Sequence, residues 1–283
     1  MKSHETEYEE YRRISLHVSA QREEEREGFR FTKFQIQGKP GGPIPGVFVP
    51  HPSSPRGKLI LFLHVLGGRK EDVLEFSLLA MPLGFSMLAI DAMRHGERES
   101  DMAGMSPTEM ISGLGGTVVD NRLALDVAFG NGWAEQGKVI LAGVSMGGIL
   151  GGVVAGADER ITGAALYVPG GDMTEILAKS KHPTVSQLRK GIPPLALRLA
   201  RGQLSSIDPI NYVDRISPRP LLIQLGKHDD VVPFENGMKL FDKAKEPKDL
   251  VVHESGHELP REKALSETEE WLRRRLPGLT SPE

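Results

Sequence analysis

The sequence predicts an α/β domain with a mostly parallel central sheet of about eight strands, helices on both faces and a small helical lid. Two observations lead to this prediction. Short apolar runs, typical of strands buried on both faces, alternate along the chain with segments whose apolar residues recur at helical spacing. The chain has 283 residues, enough for one large domain of this kind. Such alternation favours parallel strands connected by helices.

Eight apolar runs account for the predicted strands. The first two lie near the N-terminus and are joined by a turn rich in glycine and proline. The other six are separated by longer connections, as parallel strands require. In chain order the predicted strands are 29–36, 44–49, 58–64, 85–91, 138–142, 163–168, 220–225 and 249–253.

The connections contain the predicted helices, at 70–81, 117–129, 148–155, 234–244 and 261–275. Two stretches interrupt the alternation. Residues 93–116 form a predicted loop rich in glycine, methionine and serine. Residues 170–216 are too long for a simple connection and contain a further predicted helix at 192–204. Because insertions above strand ends often cover ligands, we interpret residues 170–216 as a lid rather than a second domain.

Residues 1–27 are rich in charged side chains and include the run Arg22–Glu27. This composition predicts an N-terminal extension that forms a solvated helix or a loose arm. The α/β domain is therefore expected to span residues 28–283, with the lid inserted into it.

Composition excludes several classes of function. With 35 Lys and Arg against 38 Asp and Glu, the chain has no global positive charge that would favour nucleic acid as a partner. The absence of cysteine excludes a disulfide framework, a thiol nucleophile and a thiolate metal site. No apolar run resembles a secretory signal or approaches the roughly 18 residues of a membrane span. We therefore expect a cytoplasmic protein without a membrane partner, whose oligomeric state the sequence does not indicate.

The segment Gly143–Gly147 matches the pattern G-x-S-x-G. With 32 glycines in the chain, the pattern would arise by chance in about one such sequence in five, so its context decides. An apolar predicted strand precedes it and a run of small apolar residues follows it. This context is typical of a tight turn between a strand and a helix, on which Ser145 is held as a nucleophile. Glycines on either side leave room for the strained backbone of such a turn.

A nucleophilic serine needs a base to take its proton and a third group to orient that base. Asp229 and Asp230 follow the apolar strand at 220–225, so either one is placed to serve as the acid. His257 lies in the loop after the last predicted strand and is the predicted base. His253 competes with it but lies within that strand, where a buried apolar side chain is expected.

The reaction also requires donors directed at the negative charge that develops on the substrate carbonyl oxygen. One predicted donor is the backbone N–H of Met146, at the start of the helix that follows Ser145. The second is expected in the loop after the strand that ends at His64.

Taken together, these motifs resemble the α/β-hydrolase superfamily. The resemblance is strongest to small single-domain esterases related to dienelactone hydrolases and to the catalytic domain of prolyl oligopeptidases. It covers the chain from about residue 30 to 275. Each motif is unspecific alone, and their combination is specific. They lie at residues 61–68, 91–97, 143–148, 208–209, 218–222, 226–233 and 256–257.

The resemblance implies roles for particular residues. In the family pattern the first aspartate of the acid loop is used, which corresponds to Asp229, with Asp230 as the alternate. The second oxyanion donor corresponds to the N–H of Leu66. The chain departs from the family where Val65 replaces a glycine, so the N–H of Val65 remains an alternative donor. The resemblance implies a structural role for His64.

These observations predict a serine hydrolase that needs no cofactor and no metal. We expect a carboxylesterase whose Ser145 attacks small or medium acyl esters to form an acyl-enzyme, which water then cleaves. His257 acts first as base and then as acid. The predicted partner is a small-molecule ester.

Five alternatives remain at this stage. A thioesterase or a lactone hydrolase would use the same residues. A peptidase related to prolyl oligopeptidases would carry a propeller, for which residues 1–28 are too short. A non-catalytic binding relative would usually lack part of the triad. A metal site would use residues 228–230 with His253 or His257.

Overall fold

Nine strands form one sheet in the computed structural model of the chain, which describes residues 3–26, 28–53, 57–98, 107–191 and 202–280. The spatial order is β1-β2-β3-β5-β4-β6-β7-β8-β9. β1, β2 and β3 pair antiparallel at one edge, and β3 pairs antiparallel with β5. All pairs from β5 to β9 in this order are parallel. The strands are β1 (His17–Arg26), β2 (Phe29–Gln37), β3 (Ile44–Val49), β4 (Leu59–Leu63), β5 (Ser86–Ile90), β6 (Val139–Val144), β7 (Ile161–Tyr167), β8 (Leu221–Gly226) and β9 (Lys248–His253).

Helices cover both faces of the sheet. Those described are α1 (His4–Tyr11), α2 (Val73–Ala80), α3 (Pro107–Gly130), α4 (Met146–Ala157), α5 (Met173–Lys179), α6 (Pro183–Gly191), α7 (Phe234–Lys243), α8 (Arg261–Arg275) and α9 (Pro277–Thr280). Buried residues of α2 and α8 share one apolar cluster, whereas buried residues of α1, α3, α4 and α7 share another. The predicted α/β class and mostly parallel sheet are therefore confirmed.

Strand β4 shows why these runs are apolar throughout. Leu59, Leu61 and Leu63 belong to one core cluster, and Ile60 and Phe62 belong to the other. Side chains alternate between the two faces of a strand, so a strand with helices on both sides buries every residue. Its carboxyl end opens onto the same edge of the sheet as those of β6, β8 and β9.

The sheet has one strand more than the eight apolar runs predicted. The additional strand is β1, in the segment predicted as a solvated helix or a loose arm. It pairs with β2 along its length, and Glu25 lies opposite Arg30. A strand at the edge of a sheet leaves one side and much of its surface in water, so it tolerates charged residues that a central strand excludes. Sequence patterns based on apolar runs therefore miss it.

The helix predicted at 117–129 begins earlier, at Pro107. Three glycines, at positions 113, 115 and 116, favoured a loop for the first part of this segment. In the structure a Cβ at Gly116 would lie 3.4 Å from Met93 Cγ, so this turn of α3 packs closely against the loop after β5. Tertiary packing here outweighs the low helix propensity of glycine.

The lid prediction falls partly within the described residues. Between β7 and β8 the chain forms α5 and α6 above the carboxyl ends of the strands. The helix predicted at 192–204 lies mostly outside the described residues. Within the described ranges, no helix combines the length and apolar character needed to cross a membrane.

Candidate active site

Ser145 lies on a sharp turn between β6 and α4. Its backbone adopts φ 55° and ψ −117°, a region that non-glycine residues rarely occupy. A Cβ at Gly143 would overlap the carbonyl oxygen of Gly147, and a Cβ at Gly147 would overlap that of Leu63. The two glycines of the motif are therefore required by the close approach of backbone segments. The predicted turn is present, and it holds the serine hydroxyl at the carboxyl edge of the sheet.

Hydrogen bonds fix this strained turn on both sides. The Ser145 N–H donates to the Tyr167 carbonyl oxygen at 2.9 Å, and the Ser145 carbonyl accepts from Ile149 N–H at 2.9 Å. The first bond anchors the turn to β7 and the second starts helix α4. Because the surrounding structure determines the backbone, strain of order 1–3 kcal/mol can persist at this position.

Ser145, His257 and Asp229 are brought together from three different loops. His257 Nε2 lies 2.8 Å from Ser145 Oγ, and His257 Nδ1 lies 2.8 Å from Asp229 Oδ2. The carboxylate accepts a hydrogen bond from Nδ1–H. Nε2 then carries no proton and can accept the proton of the serine hydroxyl. This is the arrangement in which a histidine can act as a general base.

Backbone groups hold the acid in place. Asp229 Oδ1 accepts from the N–H groups of Val231 and Val232, each at 2.9 Å, and the carboxylate side chain is 2% exposed. One oxygen thus binds its own loop while the other binds the imidazole. The loop is in turn tied to the histidine loop, since His228 N–H donates to Ser255 O at 2.9 Å.

The structure separates the two alternates from this cluster. The Asp230 side chain is 56% exposed and pairs with Lys181 Nζ at 3.1 Å. His253 is buried in β9, where its Nε2 lies 2.8 Å from Gln224 Oε1. That glutamine belongs to a buried polar network with Thr268 on α8. Neither alternate reaches Ser145.

The loop after β4, where the second oxyanion donor is expected, is held in place by His64. His64 Nε2 accepts from Ala92 N–H at 3.0 Å, so the ring proton is on Nδ1, which donates to the Val65 carbonyl at 2.8 Å. Since C=O and N–H point in opposite directions across a peptide plane, this bond turns the N–H of Leu66 away from the His64 ring. Leu66 and Met146 both line the cleft beside Ser145.

This orientation favours Leu66 over Val65 as the second donor. The Val65 carbonyl also accepts from Gly68 N–H at 3.0 Å, which fixes the same peptide plane a second time. The imidazole of His64 is buried, and burial lowers its pKa, so it stays neutral and keeps Nε2 as an acceptor. The structural role that the sequence resemblance implied for His64 is thus to position the peptide between Val65 and Leu66.

A cleft of about 810 Å³ surrounds the serine. It crosses the carboxyl edge of the sheet, with Phe76 and Leu265 on the side of α2 and α8 and Met110 and Leu177 on the side of α3 and the lid. Most of its lining side chains are apolar. Leu66, Met93 and Met146 are among them.

Sequence reasoning missed three side chains that line this cleft. Phe76 and Tyr167 form an aromatic pair with ring centroids 5.4 Å apart, and His182 projects from the lid. No local motif marks these residues, because their position depends on how α2, β7 and the lid pack together. Among the described residues, no group of three or more histidine, aspartate or glutamate side chains is spaced to hold a metal ion.

Comparison with known families places this geometry in context. A sequence model of the prolyl oligopeptidase family matches residues 114–276. This range covers more than half of the chain and contains Ser145, Asp229 and His257. Among individual proteins, the chain is 28% identical over 228 residues to YitV of Bacillus subtilis (strain 168), which is named as an inferred esterase. That match covers 76% of this chain and 88% of YitV.

Solved structures share the fold. An acetyl xylan esterase from Paenibacillus superposes with a TM-score of 0.78 at 20% identity, over 95% of this chain and 92% of that one. An acetyl xylan esterase from Thermoanaerobacterium superposes with a TM-score of 0.76 at 18% identity, over 98% of this chain and 92% of that one. At these identities the likeness establishes the α/β-hydrolase fold, as the sequence resemblance implied.

Proposed function

The chain belongs to the prolyl oligopeptidase family and is a serine hydrolase, and we propose that it is a carboxylesterase that cleaves small or medium acyl esters. The proposal assigns Ser145 as nucleophile, His257 as base and Asp229 as the acid that orients it. Leu66 and Met146 are assigned as oxyanion donors. No cofactor and no metal enters the proposed reaction.

One observation carries this proposal: two hydrogen bonds of 2.8 Å join Ser145 Oγ to His257 and His257 to Asp229. In the proposed reaction, His257 Nε2 takes the hydroxyl proton while Ser145 Oγ attacks the ester carbonyl carbon. The carbonyl oxygen becomes negative and accepts hydrogen bonds from the two backbone N–H groups. His257 then protonates the leaving alcohol, and the acyl group stays on the serine.

Water completes the proposed cycle. His257 removes a proton from a water molecule, which attacks the acyl carbon, and the serine regains its proton when the acid leaves. Throughout, Asp229 stays ionised, accepts a hydrogen bond from the Nδ1–H of His257 and stabilises the positive imidazolium. Its carboxylate is largely enclosed and bound by two backbone N–H groups, which supports this role.

The cleft supports a small or medium ester as the substrate. Its volume of about 810 Å³ is within the range typical of sites for small molecules. Methionine and aliphatic side chains dominate the side beneath the lid, and such side chains favour an apolar acyl chain. Esterases among the relatives and structural neighbours agree with this choice. We also propose the cytoplasm as the location, which fractionation of the producing cell would test.

The proposal is tested by hydrolysis of p-nitrophenyl esters of increasing acyl length, with wild type and Ser145→Ala. We expect the variant to lose kcat by about 10⁴-fold or more. Ser255→Ala is the matched control, because this hydroxyl lies in the histidine loop and, among the described residues, its one hydrogen bond is to the Gly256 carbonyl, at 3.4 Å. The acyl length with the highest kcat/KM reports the size of the pocket.

Two results would contradict the proposal. Equal rates for wild type and Ser145→Ala would remove the serine from the mechanism. Activity on thioesters, lactones or peptides, without activity on any simple ester, would be consistent with the triad but would contradict the assignment as a carboxylesterase.

A further inference from the structure

His182 is a histidine in the cleft for which the proposed reaction has no use. It lies between α5 and α6 and is half-buried, with its ring lining the cleft. Neither ring nitrogen has a hydrogen-bond partner within the described part of the chain, and Nδ1 is enclosed. The other nitrogen, Nε2, is not enclosed, so it is the atom of this ring that a ligand group in the cleft can reach.

The lid holds His182 next to the triad. Lys181 N–H donates to the Asp230 carbonyl at 2.8 Å, and Lys181 Nζ lies 3.1 Å from Asp230 Oδ2. These contacts attach the segment that carries His182 to the loop that carries Asp229. His182 N–H also donates to Ser180 Oγ at 3.2 Å, which fixes the start of α6.

The charge state of His182 follows from its surroundings. Burial, and to a smaller degree the neighbouring His257 ring, lowers the pKa of the His182 imidazole. At neutral pH the ring is therefore uncharged and presents one donor and one acceptor. His182 and His257 line the same cleft, and the contacts of Lys181 hold His182 beside the acid loop that carries Asp229, the partner of His257.

This position selects one part of the substrate. His257 Nε2 must give its proton to the oxygen of the leaving alcohol, so the substituents on that oxygen lie beside His257. The carbonyl oxygen points instead toward the N–H groups of Leu66 and Met146. A side chain next to His257 therefore meets the alcohol part of the ester. The neighbouring lid side chains that line the cleft, Val185 and Leu177, are apolar.

We propose that His182 hydrogen-bonds a hydroxyl group on the alcohol part of the substrate, close to the scissile ester oxygen. A hydroxyl both donates and accepts, so it pairs with either tautomer of a neutral imidazole, whereas a carbonyl pairs with only one. The inference rests on the proposed function and adds a substrate class to it: esters of diols and other polyols, in preference to esters of simple alkanols.

The test compares two esters of equal size, 2-hydroxyethyl butyrate and propyl butyrate, which differ by a hydroxyl in place of a methyl group. We expect wild type to prefer the hydroxyl ester in kcat/KM by about tenfold, the ratio that one uncharged hydrogen bond supplies. His182→Leu is expected to bring the ratio to about one. His182→Gln, which keeps a donor and an acceptor, is expected to retain part of the preference.

Thr184→Val is the matched control, since Thr184 is a polar side chain two residues farther along, in α6, that also lines the cleft. It should leave the ratio unchanged. The inference is overturned if His182→Leu and His182→Gln both keep the wild-type ratio, or if Thr184→Val abolishes it. Failure of wild type to hydrolyse either ester would instead overturn the proposed function itself, and the Ser145→Ala comparison separates the two cases.

Discussion

Two regions face each other across the cleft and are built on different principles. The catalytic rim consists of the loops after β4, β6, β8 and β9, and the lid consists of residues 173–191. In the rim, Ser145, Asp229 and His257 are held by hydrogen bonds from strands and helices of the core. In the lid, α6 is joined to α5 by Arg189, which donates to the carbonyls of Leu177, Ala178 and Ser180.

The difference shows how one fold separates chemistry from selection. Ser145 and Asp229 are buried, His257 is half-buried, and all three have fixed partners, so a change there disturbs the geometry. The lid is an insertion between β7 and β8 that adds no strand to the sheet, and contacts such as the Lys181–Asp230 pair and the bonds of Glu175 to Asn236 and Lys239 join it to the core. It can therefore vary without loss of the fold, and the residues that select a substrate are expected there.

The largest expected effect tests the rim through its two adjacent aspartates. Asp229→Asn should lower kcat by about 10³- to 10⁴-fold with little change in the unfolding temperature, because the amide favours the wrong tautomer of His257. Asp230→Asn is the control, since its side chain is 56% exposed and pairs only with the lid lysine. The measurement is kcat on p-nitrophenyl butyrate. Similar losses of kcat in both variants would contradict the assignment of Asp229.

The next effect concerns the peptide that His64 orients. His64→Asn keeps a donor near the Nδ1 position for the Val65 carbonyl, and His64→Gln keeps an acceptor near the Nε2 position for Ala92 N–H. If the Val65 contact positions the oxyanion donor, Gln should lose kcat by about tenfold to a hundredfold while Asn loses less. The KM values should change little in either variant. A greater loss in Asn than in Gln would contradict the positioning role.

A smaller expected effect distinguishes the rim from the lid by the pH dependence of the free energy of unfolding. Burial lowers the pKa of His64 in the folded chain, while the unfolded chain takes up this proton at the ordinary value of 6.5. The unfolded state then binds more protons below pH 6.5, so stability falls as pH falls, by up to about 1.4 kcal/mol per pH unit for this one group. The loss continues until the pH reaches the lower pKa of the folded state.

Urea unfolding at several pH values from about 7.5 to about 5.5 measures this slope. His64→Asn should make it shallower, because one titrating group is removed from the rim. His182→Asn should change it less, because the lid can open to solvent without unfolding the domain. Equal changes in the two variants would show that the lid and the rim unfold together.

The smallest expected effect lies in the lid. Arg189→Met removes the contacts to three carbonyls that hold α5 to α6, and it should raise KM by about two- to fivefold with kcat nearly unchanged. The free energy of unfolding should change by less than about 1 kcal/mol. The exposed neighbour Lys190→Met is the control. Limited proteolysis should cut the Arg189 variant faster, and a loss of kcat instead would place the lid within the catalytic machinery.

The rim was also the region that sequence predicted best. Ser145, Asp229 and His257 each follow a strand that its apolar run marks, and parallel strands bring their carboxyl ends to one edge. The geometry at that edge is therefore encoded locally. The catalytic roles stay predictions until the variants are measured.

The remainder depends on contacts between distant segments. Strand β1 is stable because β2 offers it a partner, and the glycine-rich start of α3 because Met93 packs against it. No sequence motif marks His182, because its position in the cleft depends on the attachment of the lid to the acid loop. In each case the neighbour that decides the structure is far away in sequence.

The charged edge strand has a consequence for the behaviour of the chain in crowded solution. A sheet with free edges can recruit a strand from another molecule and grow into an aggregate. At β1 such an addition would bring the consecutive glutamates Glu23, Glu24 and Glu25 out of water beside a foreign strand. At the opposite edge, Arg274 and Arg275 of α8 bind Asp249 of β9, at 3.0 and 2.8 Å. Both edge strands of the nine-stranded sheet thus carry charge that disfavours edge-to-edge pairing with other copies of the chain.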